Sequence, residues 1–131
     1  KTIDKAATEE TEVFDGRGLL KRLDGDEELF DELLDLYLQD VPVRLKELKH
    51  ALEDNDIAMI VQQAHTIMGA SANIGAHSLR DLAFEMEMAA RDNNLDKARP
   101  FCRRLEKEFA KFRSMLSGSV LSDNEKQRKE D

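Results

Sequence analysis

Three histidines, one cysteine and a run of small residues are the places where this chain can do chemistry. The histidines are His50, His65 and His77. No pair stands at i,i+4 with an acidic partner, as a helical zinc site needs, and no thiol cluster accompanies them, so no metal centre is expected. A G-x-S-x-G elbow, a Walker A loop and a G-x-G-x-x-G are all lacking, so the sequence predicts neither a nucleophile motif nor a nucleotide cofactor, and no other cofactor is called for. Cys102 stands alone in an apolar helical pattern with Ala98, Phe101 and Leu105. That setting fits a small core residue better than a reactive thiol, and a lone cysteine cannot close an internal disulfide.

His65 differs from the other two by its surroundings, AHTIMGASANIGA over residues 64–76. Helix interiors avoid glycine, which costs about 1 kcal/mol relative to alanine, yet this segment holds two. His65 lies at the border of an apolar stripe, with Val61 at i−4 and Gln62 at i−3. Gly69 follows at i+4, then Ala72 and Asn73 two turns on. Side chains four apart lie over one another, so Gly69 leaves an opening beside the imidazole through which another protein or a phosphoryl group can approach. The same pattern also describes a half-buried surface histidine beside a glycine that serves close helix packing.

The elements that must position this residue can be read from periodicity. A short helix follows Asp15 and carries Leu19, Leu20 and Leu23. Asp26 is placed to cap a long pattern with the stripe Leu29, Phe30, Leu33, Leu34, Tyr37 and Leu38. Pro42 is expected to break or kink that run before it resumes through Leu45, Leu48 and Leu52 and stops at Asp54-Asn55. Asp56 then caps a stripe of Ile57, Ile60, Val61, Ala64, Ile67 and Met68, which ends near Gly75-Ala76. Leu79, Leu82, Ala83, Met86 and Ala90 mark the next helix, closed by Asn93-Asn94. The last runs from Leu95 to Leu116, with Pro100 in about its first turn. Four long amphipathic helices on short loops predict an all-α fold, an antiparallel four-helix bundle with a short extra N-terminal helix. The bundle is expected over residues 13–118, with 1–12 a flexible linker and 119–131 a disordered charged tail.

Composition narrows the class of partner. The chain has 131 residues, enough for one domain, and a formal net charge of −8, which argues against nucleic acid or an anionic membrane surface. No apolar run approaches the ~20 residues of a membrane span, and no signal-peptide pattern is present, so a cytoplasmic setting fits best. The chain begins with Lys rather than Met, which fits a piece of a longer protein.

The string A-H-x-I-x-G-x-S-A-N-I-G-A resembles the signature of histidine-containing phosphotransfer (HPt) domains, the relay modules of multistep two-component signalling. His65, Ile67, Gly69, Ser71, Gly75, Leu79, Leu82 and Glu87 match its pattern, and the resemblance extends over roughly residues 14–116. It implies a bundle whose exposed His65 takes a phosphoryl group from a receiver-domain aspartyl phosphate and passes it to another receiver. The receivers would supply the Mg²⁺ and the lysine that stabilise transfer. The face implied around His65 is Gln62, Met68, Gly69, Ser71, Ala72 and Asn73, with Ser71 equally able to serve helix packing. Glu87 matches a position that can bond Nδ1 and turn Nε2 outward, or stand as a solvated acid. Phe30, Tyr37 and Leu38 read mostly as core.

Met68 is the departure from the pattern, since the family usually has Lys there. It either extends the receiver-docking patch or continues the core stripe, and Lys46, Lys49 and Arg80 are candidates for the missing cation. The expectation is a monomeric relay domain, free-standing or within a hybrid sensor histidine kinase. The alternative is an HPt-like module that docks receivers without being phosphorylated.

Overall fold

Short polar side chains begin four of the five helices seen among the described residues. Asp15, Asp26 and Asp56 each accept a hydrogen bond from the backbone N–H three residues on, at Gly18, Leu29 and Met59, and Asn94 does the same for Lys97. Each satisfies one of the N–H groups that a helix start leaves without a partner. The computed structural model describes the backbone of residues 13–130 and the side chains of residues 13–116. Its helices are α1 (Gly16–Arg22), α2 (Glu27–Glu53), α3 (Ile57–Ile74), α4 (His77–Arg91) and α5 (Leu95–Glu130).

The helices end as uniformly as they start. Asp24, Asn55, Gly75 and Asn93 take positive φ after α1, α2, α3 and α4. The N–H of the next residue then reaches back five positions, as Gly25 to Leu20, Asp56 to Ala51, Ala76 to Ser71 and Asn94 to Ala89, at 2.8–2.9 Å. This is the Schellman closure, which satisfies a terminal carbonyl and reverses the chain in very few residues. Asp56, Ala76 and Asn94 are also the residues from which the following helix starts, so each connection is two or three residues long. Loops that short force consecutive helices to run antiparallel. In the resulting bundle α2 packs on α3, α3 on α4, α4 on α5, and α5 back on α2.

Leu48, Ile60, Ile67, Leu79, Met86, Leu105 and Phe112 meet in the centre with almost no exposed surface. Phe14, just before α1, closes one end of the bundle. Its ring meets Phe112 edge-on at 5.2 Å and Phe30 at 6.4 Å, and Tyr37 continues the aromatic cluster to Phe112 and Phe109. The Asp15 N–H donates to the Gly75 carbonyl, and the Arg22 guanidinium to the Asn73 carbonyl, so α1 is tied to the end of α3.

Two prolines and the end of α5 fill in what the sequence left open. Pro42 does not break α2, which is continuous from Glu27 to Glu53. A proline leaves the carbonyl four residues earlier without its helical donor, and here Arg113 of α5 donates to that carbonyl, Leu38 O, at 3.0 Å. Pro100 sits near the start of α5, in its second turn. The α5 backbone continues to Glu130, past Leu116 where the apolar stripe stops, so the charged tail expected at 119–131 falls largely on a helical extension rich in Glu, Lys, Gln and Arg. The linker expected at 1–12 lies outside the described residues.

Candidate functional site

α3 carries no Asp, Glu, Lys or Arg between Ile57 and Ile74, so His65 is its only ionisable side chain. Its apolar face, Ile60, Ala64, Ile67 and Ile74, is buried in the bundle. That burial fixes the rotation of the helix and turns His65 outward, with 60% of its side chain exposed. The Nδ1 atom lies 3.0 and 3.2 Å from the two carboxylate oxygens of Glu87 on α4. A carboxylate accepts, so Nδ1–H is the donor in this contact, and Nε2 points away with no partner among the described residues. Neutral imidazole in this tautomer is a nucleophile aimed away from the bundle.

Glu87 is itself only 7% exposed. Burying a carboxylate is expensive unless it is paired and hydrogen-bonded. Arg91, one turn further along α4, meets this need by donating from Nε at 2.9 Å and Nη2 at 2.8 Å to Oε2. The chain of contacts therefore runs Arg91, Glu87, His65. Arg91 was absent from the sequence reading, although its i,i+4 spacing from Glu87 is a visible signal.

The surface beside the imidazole is bare. A Cβ added at Gly69 would meet nothing within 4 Å. Gly69, Ala70, Ala72 and Asn73 line a shallow open hollow together with Arg22 of α1. Nothing in the sequence joins Arg22 to this region; only the docking of α1 on α3 brings it there. Gln62, Ala72 and Asn73 are exposed on the same side of α3, and Met68 is half-buried, packed against the core along one flank. On α4, Phe84 and Met88 are exposed large apolar residues bordering Glu87.

Ser71 is not part of this face but serves helix packing, the alternative that the sequence left open for it. Six residues carry it about 240° around the helix from His65. It is fully buried and shares a 2.6 Å hydrogen bond with the Tyr37 hydroxyl. Two of the cations considered as replacements at position 68 have other partners. Lys49 pairs with Glu106 of α5, Arg80 pairs with Asp81 near the start of α4, and Lys46 is exposed on α2. Cys102 is buried, and burial pushes its thiol up from the ordinary range, away from the reactive thiolate. Among the described residues no group of three or more His, Cys, Asp or Glu is arranged to hold a metal ion. No helix there is long and apolar enough to cross a membrane.

Comparison with known proteins agrees with this geometry. The chain is 33% identical over 107 residues to the phosphorelay intermediate protein rdeA of Dictyostelium discoideum, a match covering 82% of this chain and 42% of that relative's length. Among solved structures it resembles histidine-containing phosphotransfer protein B of Pseudomonas aeruginosa PAO1, with 32% identity, a TM-score of 0.73, and coverage of 88% of this chain and 96% of the other. The maize histidine-containing phosphotransfer protein ZmHP2 shares the fold, with a TM-score of 0.80 at 17% identity over 95% and 96% of the two chains. The sequence model of the Hpt domain matches residues 32–115, which hold α3, α4, His65 and Glu87, and the chain belongs to the Hpt domain family.

Proposed function

We propose that His65 is a phosphoryl carrier in a multistep phosphorelay. One observation carries this reading: an exposed imidazole whose Nδ1 is held by a buried carboxylate, beside a glycine that leaves the approach open. The Nε2 lone pair attacks the phosphorus of a receiver's aspartyl phosphate. An N–P bond forms as the P–O bond to the aspartate breaks, and the aspartate leaves as its carboxylate. The ring keeps its Nδ1 proton, becomes cationic, and faces Glu87 across 3.0 Å. Attack by a second receiver's aspartate reverses these steps. The chain positions the ring, while the receiver brings the Mg²⁺ that offsets charge on the transferred group.

Receiver domains dock, in this reading, on Gln62, Met68, Gly69, Ala72 and Asn73, with Phe84 and Met88 adding apolar area. The domain works as a cytoplasmic monomer, alone or within a hybrid sensor histidine kinase. A cytoplasmic setting is supported by a single, buried cysteine that closes no internal disulfide.

The test is phosphotransfer from a labelled receiver to this chain beside His65→Gln. The expected result is acid-labile, base-stable label on the wild type and none on the variant. Receiver binding without label on either protein would replace the relay with an unphosphorylated docking module.

A further inference from the structure

The charges that can act on His65 are few. α3 contributes none, and the sequence has Met68 where a cation is usual in the family. From α2, the charged group presented to α3 is Arg44, which bonds Gln63 and Asp40. From α1 it is Arg22, held on the Asn73 carbonyl. Only α4 places charges in line with the imidazole, and it places two, Glu87 and Arg91. The state of His65 therefore rests on that pair.

We propose that Arg91 is a positioning residue that keeps His65 in its nucleophilic form. This rests on His65 being the phosphoryl acceptor, but its main readout does not require transfer. A buried carboxylate whose only partner is an imidazole favours the doubly protonated ring, because the second proton converts a lone buried anion into an ion pair. Imidazolium has no lone pair on Nε2 and cannot attack phosphorus. With Nε and Nη2 of Arg91 on Oε2, the negative charge of Glu87 is already offset, and Glu87 accepts the Nδ1 proton without drawing a second one onto the ring. The two oxygens divide the work: Oε2 takes both arginine bonds, and Oε1 makes the shorter contact to Nδ1. Arginine suits the position because its fork meets the carboxylate with two donors and stays charged at any pH relevant to a cell. When the N–P bond forms and the ring does become cationic, the same carboxylate is already aligned at Nδ1.

The experiment is ¹⁵N NMR of the His65 ring near neutral pH, where imidazolium and the two neutral tautomers give separate signals. Wild type is expected as the Nδ1–H tautomer. Arg91→Met is expected to shift the ring toward imidazolium and to slow transfer at saturating receiver on the order of tenfold, with receiver affinity unchanged. Arg91→Lys restores most of both, since it returns the charge. In a Glu87→Gln background, Arg91→Met no longer changes the protonation state, because no carboxylate remains to be offset. Arg22→Met, which removes a surface cation that does not touch Glu87, leaves the ring spectrum as it is. The proposal is overturned if Arg91→Met keeps the wild-type ring signals, or if Arg22→Met alters them equally. A wild-type chain that takes no label while Arg91→Met still changes the ring would sink the carrier reading and leave this electrostatic coupling standing.

Discussion

At the residue scale, the Tyr37–Ser71 pair shows how a buried polar contact can sit beside a reactive face without joining it. The hydroxyls are 2.6 Å apart in the core, and no buried side-chain nitrogen or oxygen among the described residues lacks a partner. Burial is the main effect on Tyr37 and pushes its hydroxyl well above the ordinary tyrosine value; the Ser71 hydrogen bond opposes this with a smaller effect. Below about pH 10 the tyrosine is protonated in both folded and unfolded chains and adds no pH dependence. Above that, the unfolded chain loses the proton first, so stability falls as pH rises. Tyr37→Phe is expected to lower stability by about 1–2 kcal/mol at neutral pH, because Ser71 loses its partner, and to reduce the alkaline loss. Denaturant melts of both proteins across the alkaline range check this. Tyr37 is the sole tyrosine, so phenolate absorbance reports it directly. A wild-type phenolate signal that rises at the ordinary tyrosine pH in the folded state would count against the account.

At the element scale, α3 is a helix whose two glycines do different work. Gly75 ends it with φ +88°, and a Cβ there would come within 3.1 Å of the Asp15 carbonyl oxygen, so both conformation and close approach call for glycine. Gly69 has neither constraint. It is helical, exposed and surrounded by open space, so Gly69→Ala is expected to stabilise the domain by about 1 kcal/mol. A helix that gives up that much for no packing reason is one whose surface must stay low. Gly69→Leu is therefore expected to keep or raise the melting temperature while cutting phosphotransfer from a receiver. Thermal melts and transfer assays on the same preparations separate the two effects. Unimpaired transfer in Gly69→Leu would remove the steric argument.

At the scale of the whole molecule, the four-helix ring presents His65 and the short α1 brings Arg22 to the same surface. Phe14 is the residue that couples them, because its ring fills the end of the bundle against Phe112 and Phe30 while Asp15 beside it bonds Gly75. Phe14→Ala is expected to cost about 3 kcal/mol through the cavity it leaves. It should also loosen α1 and with it the Arg22 side of the hollow, while leaving the His65–Glu87 contact intact. Hydrogen exchange resolved by segment would show faster exchange in α1 than in α3. Equal protection in both would mean that the bundle end does not depend on this plug.

Helix number, order, caps and the Gly75 break were legible in the sequence because they are local. An aspartate or asparagine bonds an N–H three residues away, and a positive-φ residue closes the turn it stands in. The 3.6-residue stripe marked which side of α3 is buried and placed His65 at its border, while the exposed imidazole was what the family resemblance implied. What periodicity alone did not settle was the far side of each contact. Pro42 could be judged against its own helix, yet Arg113, which satisfies the freed Leu38 carbonyl, lies on another. Ser71 was left open between the reactive face and helix packing because matching a motif ignores rotation, and six residues are not a whole number of turns. Glu87 could be matched as a partner for His65, but whether it was solvated or bonded to Nδ1 depended on how α4 packs against α3. The burial that makes Arg91 necessary was equally invisible. Such contacts join residues more than twenty positions apart, and only the packing of complete helices brings them within hydrogen-bonding distance.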